Sequence, residues 1–326
     1  MADSRYACAS PVAHARYLMV FLYKADPQRG KRWAELFAAK APDIDFHIWP
    51  GAADPNKVRY LAVWEPPARI AETFPNLEIL FSIAAGVDKI DFSALPAGLP
   101  VVRMIEPGLV AGMVEYVLWA VLGLHRDTPT YRRFQNERLW KPLPLSPAGA
   151  RRVGVLGLGE LGRAVLKQLN ALGFQTSGWS RSLHDIEGTI CFGGREQLPA
   201  FLAHCDILVC LLPLTTETKG LIDKDFLACL PRGAALVHVG RGQQLVQVDL
   251  LSALDSGQLS EAIVDVTDPE PLPASNPLWD HPRVTLTPHI AGMTQPDSAV
   301  EVVLQNIRRF HAGEPMTGLV DKARGY

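Results

Sequence analysis

The hexapeptide Gly157-Leu158-Gly159-Glu160-Leu161-Gly162 constrains this chain more than any other stretch. It follows directly on an apolar run at 153–156 and opens a helical pattern over 161–172, so it reads as the strand–turn–helix of a dinucleotide-binding βαβ unit. Each glycine has its own task. Gly157 permits the tight turn, Gly159 lets the backbone approach a pyrophosphate, and Gly162 allows the helix to pack closely on the strand. Free N–H groups at the helix start hold the anion.

The rest of the chain repeats the same alternation of short apolar runs and helical patterns, which predicts parallel α/β layering. Strands are expected at 17–23, 44–49, 58–64 and 77–82, with a helix at 31–40, and the last of these strands runs into the turn Ala84-Ala85-Gly86-Val87-Asp88. A long apolar helix pattern at 109–125 and a proline-rich connector at 140–147 follow. The alternation then restarts, with strands expected at 153–156, 174–179, 207–212, 234–239, 262–266 and 284–286 and a helix at 248–256. A final helical stretch at 295–311 is too isolated to stand alone and is expected to pack on the first unit. Residues 1–16 show no clear period and read as a flexible extension.

The end of the second strand after the glycine turn bears on the ribose. An NAD site usually carries an acid there. Here the segment is Gly178-Trp179-Ser180-Arg181-Ser182. A carboxylate would repel a 2′-phosphate, whereas Arg181 pairs with it and Ser180 and Ser182 donate to it. NADP is therefore the expected dinucleotide, with NAD possible.

Three later strand ends each carry one chemically useful group: Arg241 in Val239-Gly240-Arg241-Gly242, Glu270 in the stretch from Asp265, and His289 in Thr287-Pro288-His289. Singly, each has an ordinary structural reading as a surface ion pair, a loop carboxylate or a capping histidine. Together they supply what hydride transfer at C2 of a keto acid requires: a cation for the carboxylate, a proton donor for the nascent alkoxide and a tuning acid.

Composition narrows the alternatives. The chain has 326 residues, 20% of them charged, and a formal net charge of -2 without a block of like charge. Two domains are expected, and nucleic acid is not an expected partner. The five cysteines show no metal spacing, and no apolar run reaches membrane-span length, so no metal site and a cytoplasmic protein are expected.

These motifs, with Leu211-Leu212-Pro213-Leu214-Thr215 and Pro288-His289, make the chain similar to the D-isomer-specific 2-hydroxyacid dehydrogenase family. Trp140-Lys141-Pro142-Leu143-Pro144 and the Trp179–Ser182 segment resemble its glyoxylate/hydroxypyruvate reductase branch. The resemblance implies a Rossmann-type doubly wound parallel sheet at 116–290, inserted into a smaller flavodoxin-like α/β domain made of 17–115 and 291–326. It implies that Arg241 clamps the substrate carboxylate, that His289 protonates the keto oxygen, and that Glu270 keeps His289 charged. Ala85 and Gly86 amides would hold the other face of the carboxylate. Leu212, Pro213, Val239, Gly240 and Asp265 would line the cofactor, Asp265 at the nicotinamide carboxamide. Trp64 is expected to wall the substrate pocket, with Trp140 a second candidate.

The same likeness implies a homodimer and helices near 109–125 and 294–311 crossing a hinge. His238 stands where the family usually has asparagine, and Thr267 where phenylalanine is common. Two rivals stay open: another 2-hydroxyacid dehydrogenase of the family, and a dinucleotide-sensing, corepressor-like binding protein.

Overall fold

The computed structural model describes residues 19–51 and 53–325. The extension expected at 1–16, and the first two residues of the strand expected at 17–23, lie outside them. The first part of the chain runs through β1 (Met19–Lys24), α1 (Pro27–Lys40), β2 (Ile44–Ile48), β3 (Val58–Val63), α2 (Ile70–Thr73), β4 (Ile79–Ser82) and β5 (Val101–Val102). Two helices follow, α3 (Pro107–His125) and α4 (Thr128–Asn136). The second part comprises β6 (Arg152–Leu156), α5 (Glu160–Ala171), β7 (Gln175–Ser180), β8 (Thr189–Gly193), α6 (Leu198–Leu202), β9 (Ile207–Cys210) and α7 (Lys224–Ala228). It continues through β10 (Ala234–His238), α8 (Gln247–Asp255), β11 (Leu259–Val264), β12 (Val284–Leu286) and α9 (Pro296–His311).

Both sheets are parallel. The first has the order β2-β1-β3-β4-β5 and the second β12-β11-β10-β9-β6-β7-β8. Their central strands are buried on both faces, as the near-continuous apolar runs demand. In the second sheet the order reverses between β6 and β9, which opens a crevice above the glycine turn. In the first it reverses beside β1.

Several boundaries differ from the sequence-based expectation, each for a local reason. Helix α1 starts at Pro27, not at residue 31, because Asp26 caps it by accepting from the Arg29 amide at 2.8 Å and Pro27 is pre-set for the first turn. Strands β9, β10 and β11 stop short of the expected ends: Leu211, Leu212, Val239 and Val266 prolong the apolar runs as wall residues or core outside the ladder. Helix α4 was not expected; TPTYRRFQN is short and mostly polar and buries no residue, so no apolar run marks it. Strand β8 pairs with β7 at the sheet edge and is only partly buried.

Helix α9 returns to the first sheet. Its Val300, Val303, Leu304 and Ile307 share one core with Trp33 and Phe37 of α1. Helix α3 buries Met113, Val117, Ala120 and Val121 against the second unit, near Val165 and Leu169 of α5, and leaves Trp119 and Leu122 exposed.

Candidate active site

Strand register builds the site. Leu156 pairs with Trp179 and with Cys210, Cys210 with His238, His238 with Val264, and Val264 with Leu286. One row of strand ends therefore spans the sheet, and Gly157, Ser180, Leu211, Val239, Asp265 and Thr287 stand along it. The first sheet faces this row with its own ends, Ala25, Trp64, Ile83 and Arg103. Between them lies a cleft of about 1490 Å³. It is lined by Gly157, Leu158, Gly159, Glu160, Leu161, Gly162, Ser180, Arg181, Ser182, Leu212, Pro213, Val239, Gly240, Arg241, Asp265 and His289 from one side. Trp64, Ala85 and Gly86 line it from the other.

The glycine turn fits a dinucleotide. Gly157 has φ +102°, a left-handed conformation that L side chains rarely adopt. A Cβ on Gly162 would stand 1.8 Å from the Gly157 carbonyl, so α5 could not approach the turn. A Cβ on Gly159 would meet nothing within 4 Å: it would project into open space where a pyrophosphate needs access to the α5 amides.

At the far end of the cleft Ser180, Arg181 and Ser182 form a tight turn after β7. The Ser180 hydroxyl donates to the Ser182 carbonyl at 2.6 Å, so its own hydrogen serves the turn while its oxygen remains an acceptor. Three basic groups that sequence reading passed over line the same end: Arg163, His184 and Arg195. Arg163 lies one residue past Gly162; its Nε donates to the Leu158 carbonyl at 3.0 Å and Nη2 lies 2.9 Å from His184 Nδ1.

At the other end, Nδ1 of His289 lies 2.9 Å from Glu270 Oε2, and Glu270 Oε1 accepts from the Thr267 amide at 3.0 Å. Thr267, the departure from the family pattern, thus anchors the acid through its backbone. The Trp64 ring meets His289 edge-on, with centroids 6.4 Å apart. Trp140 does not line the cleft and is 99% exposed.

Asp265 lines the cleft and is also tied to the histidine loop. It is only 2% exposed. Its carboxylate accepts from Thr287 Oγ1 at 2.5 Å and from the Ile290 and Ala291 amides at 2.9 Å each. Its carbonyl accepts from the His289 amide at 2.8 Å. These bonds hold His289 at φ +54°, an uncommon conformation for a non-glycine residue. Asp265 pins the histidine loop.

Arg241 reaches across the cleft. Its Nε donates to Asp88 Oδ1 at 2.8 Å and Nη1 to the Gly240 carbonyl at 2.9 Å. A Cβ on Gly86 would stand 1.9 Å from Nη2, so the glycine is needed for the arginine to lie there. Neither the Ala85 nor the Gly86 amide donates to another described residue. Below the arginine turn, His238 is fully buried and its Nε2 lies 2.9 Å from the Arg241 carbonyl. Burial above all pushes the His238 imidazole down to about 4. It is therefore the neutral form that donates. Asp88 was visible in the turn motif, yet nothing in sequence spacing linked it to Arg241.

Residues 118–291 match the family described as D-isomer specific 2-hydroxyacid dehydrogenase, NAD binding domain. The chain is 40% identical over 300 residues to glyoxylate/hydroxypyruvate reductase A of Salmonella choleraesuis, covering 90% of this chain and 96% of that protein. Against the protein of the same name from Yersinia enterocolitica it is 37% identical over 302 residues, 91% of this chain and 96% of that one. A D-isomer specific 2-hydroxyacid dehydrogenase from Xanthobacter autotrophicus, crystallised with NADPH and MES, superposes with a TM-score of 0.90 at 41% identity, over 94% of this chain and 99% of that one. An NADPH-dependent glyoxylate/hydroxypyruvate reductase from Sinorhizobium meliloti, in complex with NADP and sulfate, superposes at 0.88 with 32% identity, over 94% and 99%.

Proposed function

The chain belongs to the D-isomer specific 2-hydroxyacid dehydrogenase family, and from that premise we propose that it reduces a small 2-keto acid of the glyoxylate or hydroxypyruvate kind to the D-2-hydroxy acid, using NADPH in preference to NADH. The observation that carries this reading is that His289, backed by Glu270, lines the cleft with Arg241 at one end while the glycine turn and Arg181 line it at the other.

Bound NADPH supplies the hydride that reaches C2. The residues do the rest. Arg241 binds the substrate carboxylate and polarises the keto oxygen, with the Ala85 and Gly86 amides on the opposite face. Nε2 of His289 delivers a proton to that oxygen as the C=O bond becomes C–O–H, and Glu270 holds the imidazole so that Nε2 is the nitrogen turned to substrate. Trp64 packs beside the histidine and limits the pocket to a small acid. Arg181, supported by Arg163 and Arg195, answers the 2′-phosphate.

The chain divides near residues 116 and 290 into a substrate unit and an inserted dinucleotide unit. A homodimer completes the reading: Trp119 and Leu122 of α3 and the segment around Trp140 expose apolar surface that a second copy would cover. A reducing cytoplasm suits the reductive direction.

The test is NADPH consumption, followed by absorbance, with glyoxylate, hydroxypyruvate, pyruvate and phenylpyruvate, repeated with NADH and with Arg181→Ala. Turnover with a small acid, and a preference for NADPH that narrows in the variant, is the expected result. Tight dinucleotide binding without turnover of any acid would favour a dinucleotide-sensing binding protein.

A further inference from the structure

Arg241 is gripped on both flanks. Nε donates to Asp88, Nη1 donates to the Gly240 carbonyl, and Nη2 lies against Gly86. A guanidinium is planar and offers two forks to a carboxylate, one between Nε and Nη2 and one between Nη1 and Nη2. With Asp88 on the Nε side, the edge left for a substrate carboxylate is the one between Nη1 and Nη2.

The pair is not a solvated surface contact: the Asp88 side chain is 15% exposed and that of Arg241 22%. It also joins the two sides of the cleft, since Asp88 follows β4 of the first sheet and Arg241 follows β10 of the second. The fork is therefore aligned only when those two sides stand together.

We propose that Asp88 is the positioning residue of the carboxylate site, orienting Arg241 so that its outer edge faces the substrate across Gly86. This rests on the reading of Arg241 as the carboxylate clamp. Without Asp88 the guanidinium keeps its charge but loses the bond that sets its plane, and a misplaced clamp misplaces C2 relative to His289. A residue that merely competed with substrate for Arg241 would act with the opposite sign: its removal would tighten binding.

The experiment compares Asp88→Ala and Asp88→Asn with the parent protein. The readouts are KM and kcat for the reduced keto acid, the Kd of NADPH by fluorescence, and the Kd of oxamate by titration calorimetry on NADPH-loaded protein. Asp88→Ala is expected to raise the keto-acid KM and the oxamate Kd together, by about 10- to 100-fold, with the NADPH Kd unchanged. Asp88→Asn keeps an acceptor oxygen without the charge and falls between. Unchanged or lowered KM and oxamate Kd would overturn the proposal, and so would a parallel loss of NADPH binding, which marks a merely structural role. Should the parent bind oxamate yet reduce no keto acid, the reductase reading fails while the oxamate series still tests Asp88. A parent that neither reduces a keto acid nor binds oxamate overturns both.

Discussion

His289 and Glu270 meet through Nδ1 and Oε2 at 2.9 Å. A carboxylate only accepts, so Nδ1 carries the hydrogen and Nε2 is left for the cleft. Glu270 is itself fixed by the Thr267 amide, so ring and acid move as one unit. Replacing Glu270 by Gln removes the charge and offers Nδ1 an amide that can donate as well as accept, which frees the wrong tautomer. The expected outcome is a fall in kcat of about 10²- to 10³-fold with the NADPH Kd unchanged. Steady-state kinetics and fluorescence titration check it, and an unchanged kcat would remove Glu270 from the mechanism.

Glu106 shows how the two connecting helices are tied. The residue is 1% exposed, and its carboxylate accepts from the Gly108 and Leu109 amides at 2.6 and 2.7 Å, capping α3. The same carboxylate accepts from the Gln295 amide at 2.9 Å and from the Ser298 hydroxyl, capping α9. One side chain thus satisfies donors at two helix N-termini that would otherwise be buried without partners. Glu106→Ala is expected to lower stability by about 2–4 kcal/mol, and Glu106→Gln by less, because an amide oxygen still accepts. Urea unfolding measures both, and an alanine variant as stable as the parent would show that water replaces the cap.

What was legible in the sequence is what is local. Gly157 to Gly162, Arg241 and His289 each sit in a short segment beside a strand end, and parallel strands in register bring such ends to one edge without further information. Glu270 was legible as an acid in the loop after a strand end, and its link to the histidine only as what the family resemblance implies. The relations that orient these groups were not legible, because they join distant positions. Asp88 and Arg241 are 153 residues apart, and Glu106 and Ser298 are 192 apart. Asp265 illustrates a subtler limit: its place at the strand end was readable, but its commitment to three donors on the His289 loop depends on how that loop turns. Strand ends were overread where apolar residues leave the ladder to line the cleft, and α4 was missed because it is short, mostly polar and buries no residue.

His238 supplies a pH dependence of stability. Its ring is fully buried, Nε2 donates to the Arg241 carbonyl, and Nδ1 has no partner among the described residues, so a second proton would sit on a nitrogen that none of them accepts from. Burial pushes the group down from 6.5 to about 4; the positive charge of Arg241 acts the same way, and the carbonyl acceptor pulls back against both. Above the unfolded value of 6.5 both states are neutral and the contribution to stability is intact. As pH falls from 6.5 towards 4 the unfolded chain takes up a proton that the folded one refuses, so stability is lost across that window and no further below it. The loss is on the order of 3 kcal/mol for this group. Asparagine at this position would keep an N–H for the Arg241 carbonyl and has nothing to titrate. Urea unfolding at stepped pH is therefore expected to give a curve for His238→Asn that is flatter than the parent's between pH 6.5 and 4 and parallel to it above. Equal slopes in that window would mean that the histidine takes up its proton in the folded protein, and that the turn carrying Arg241 yields to let it.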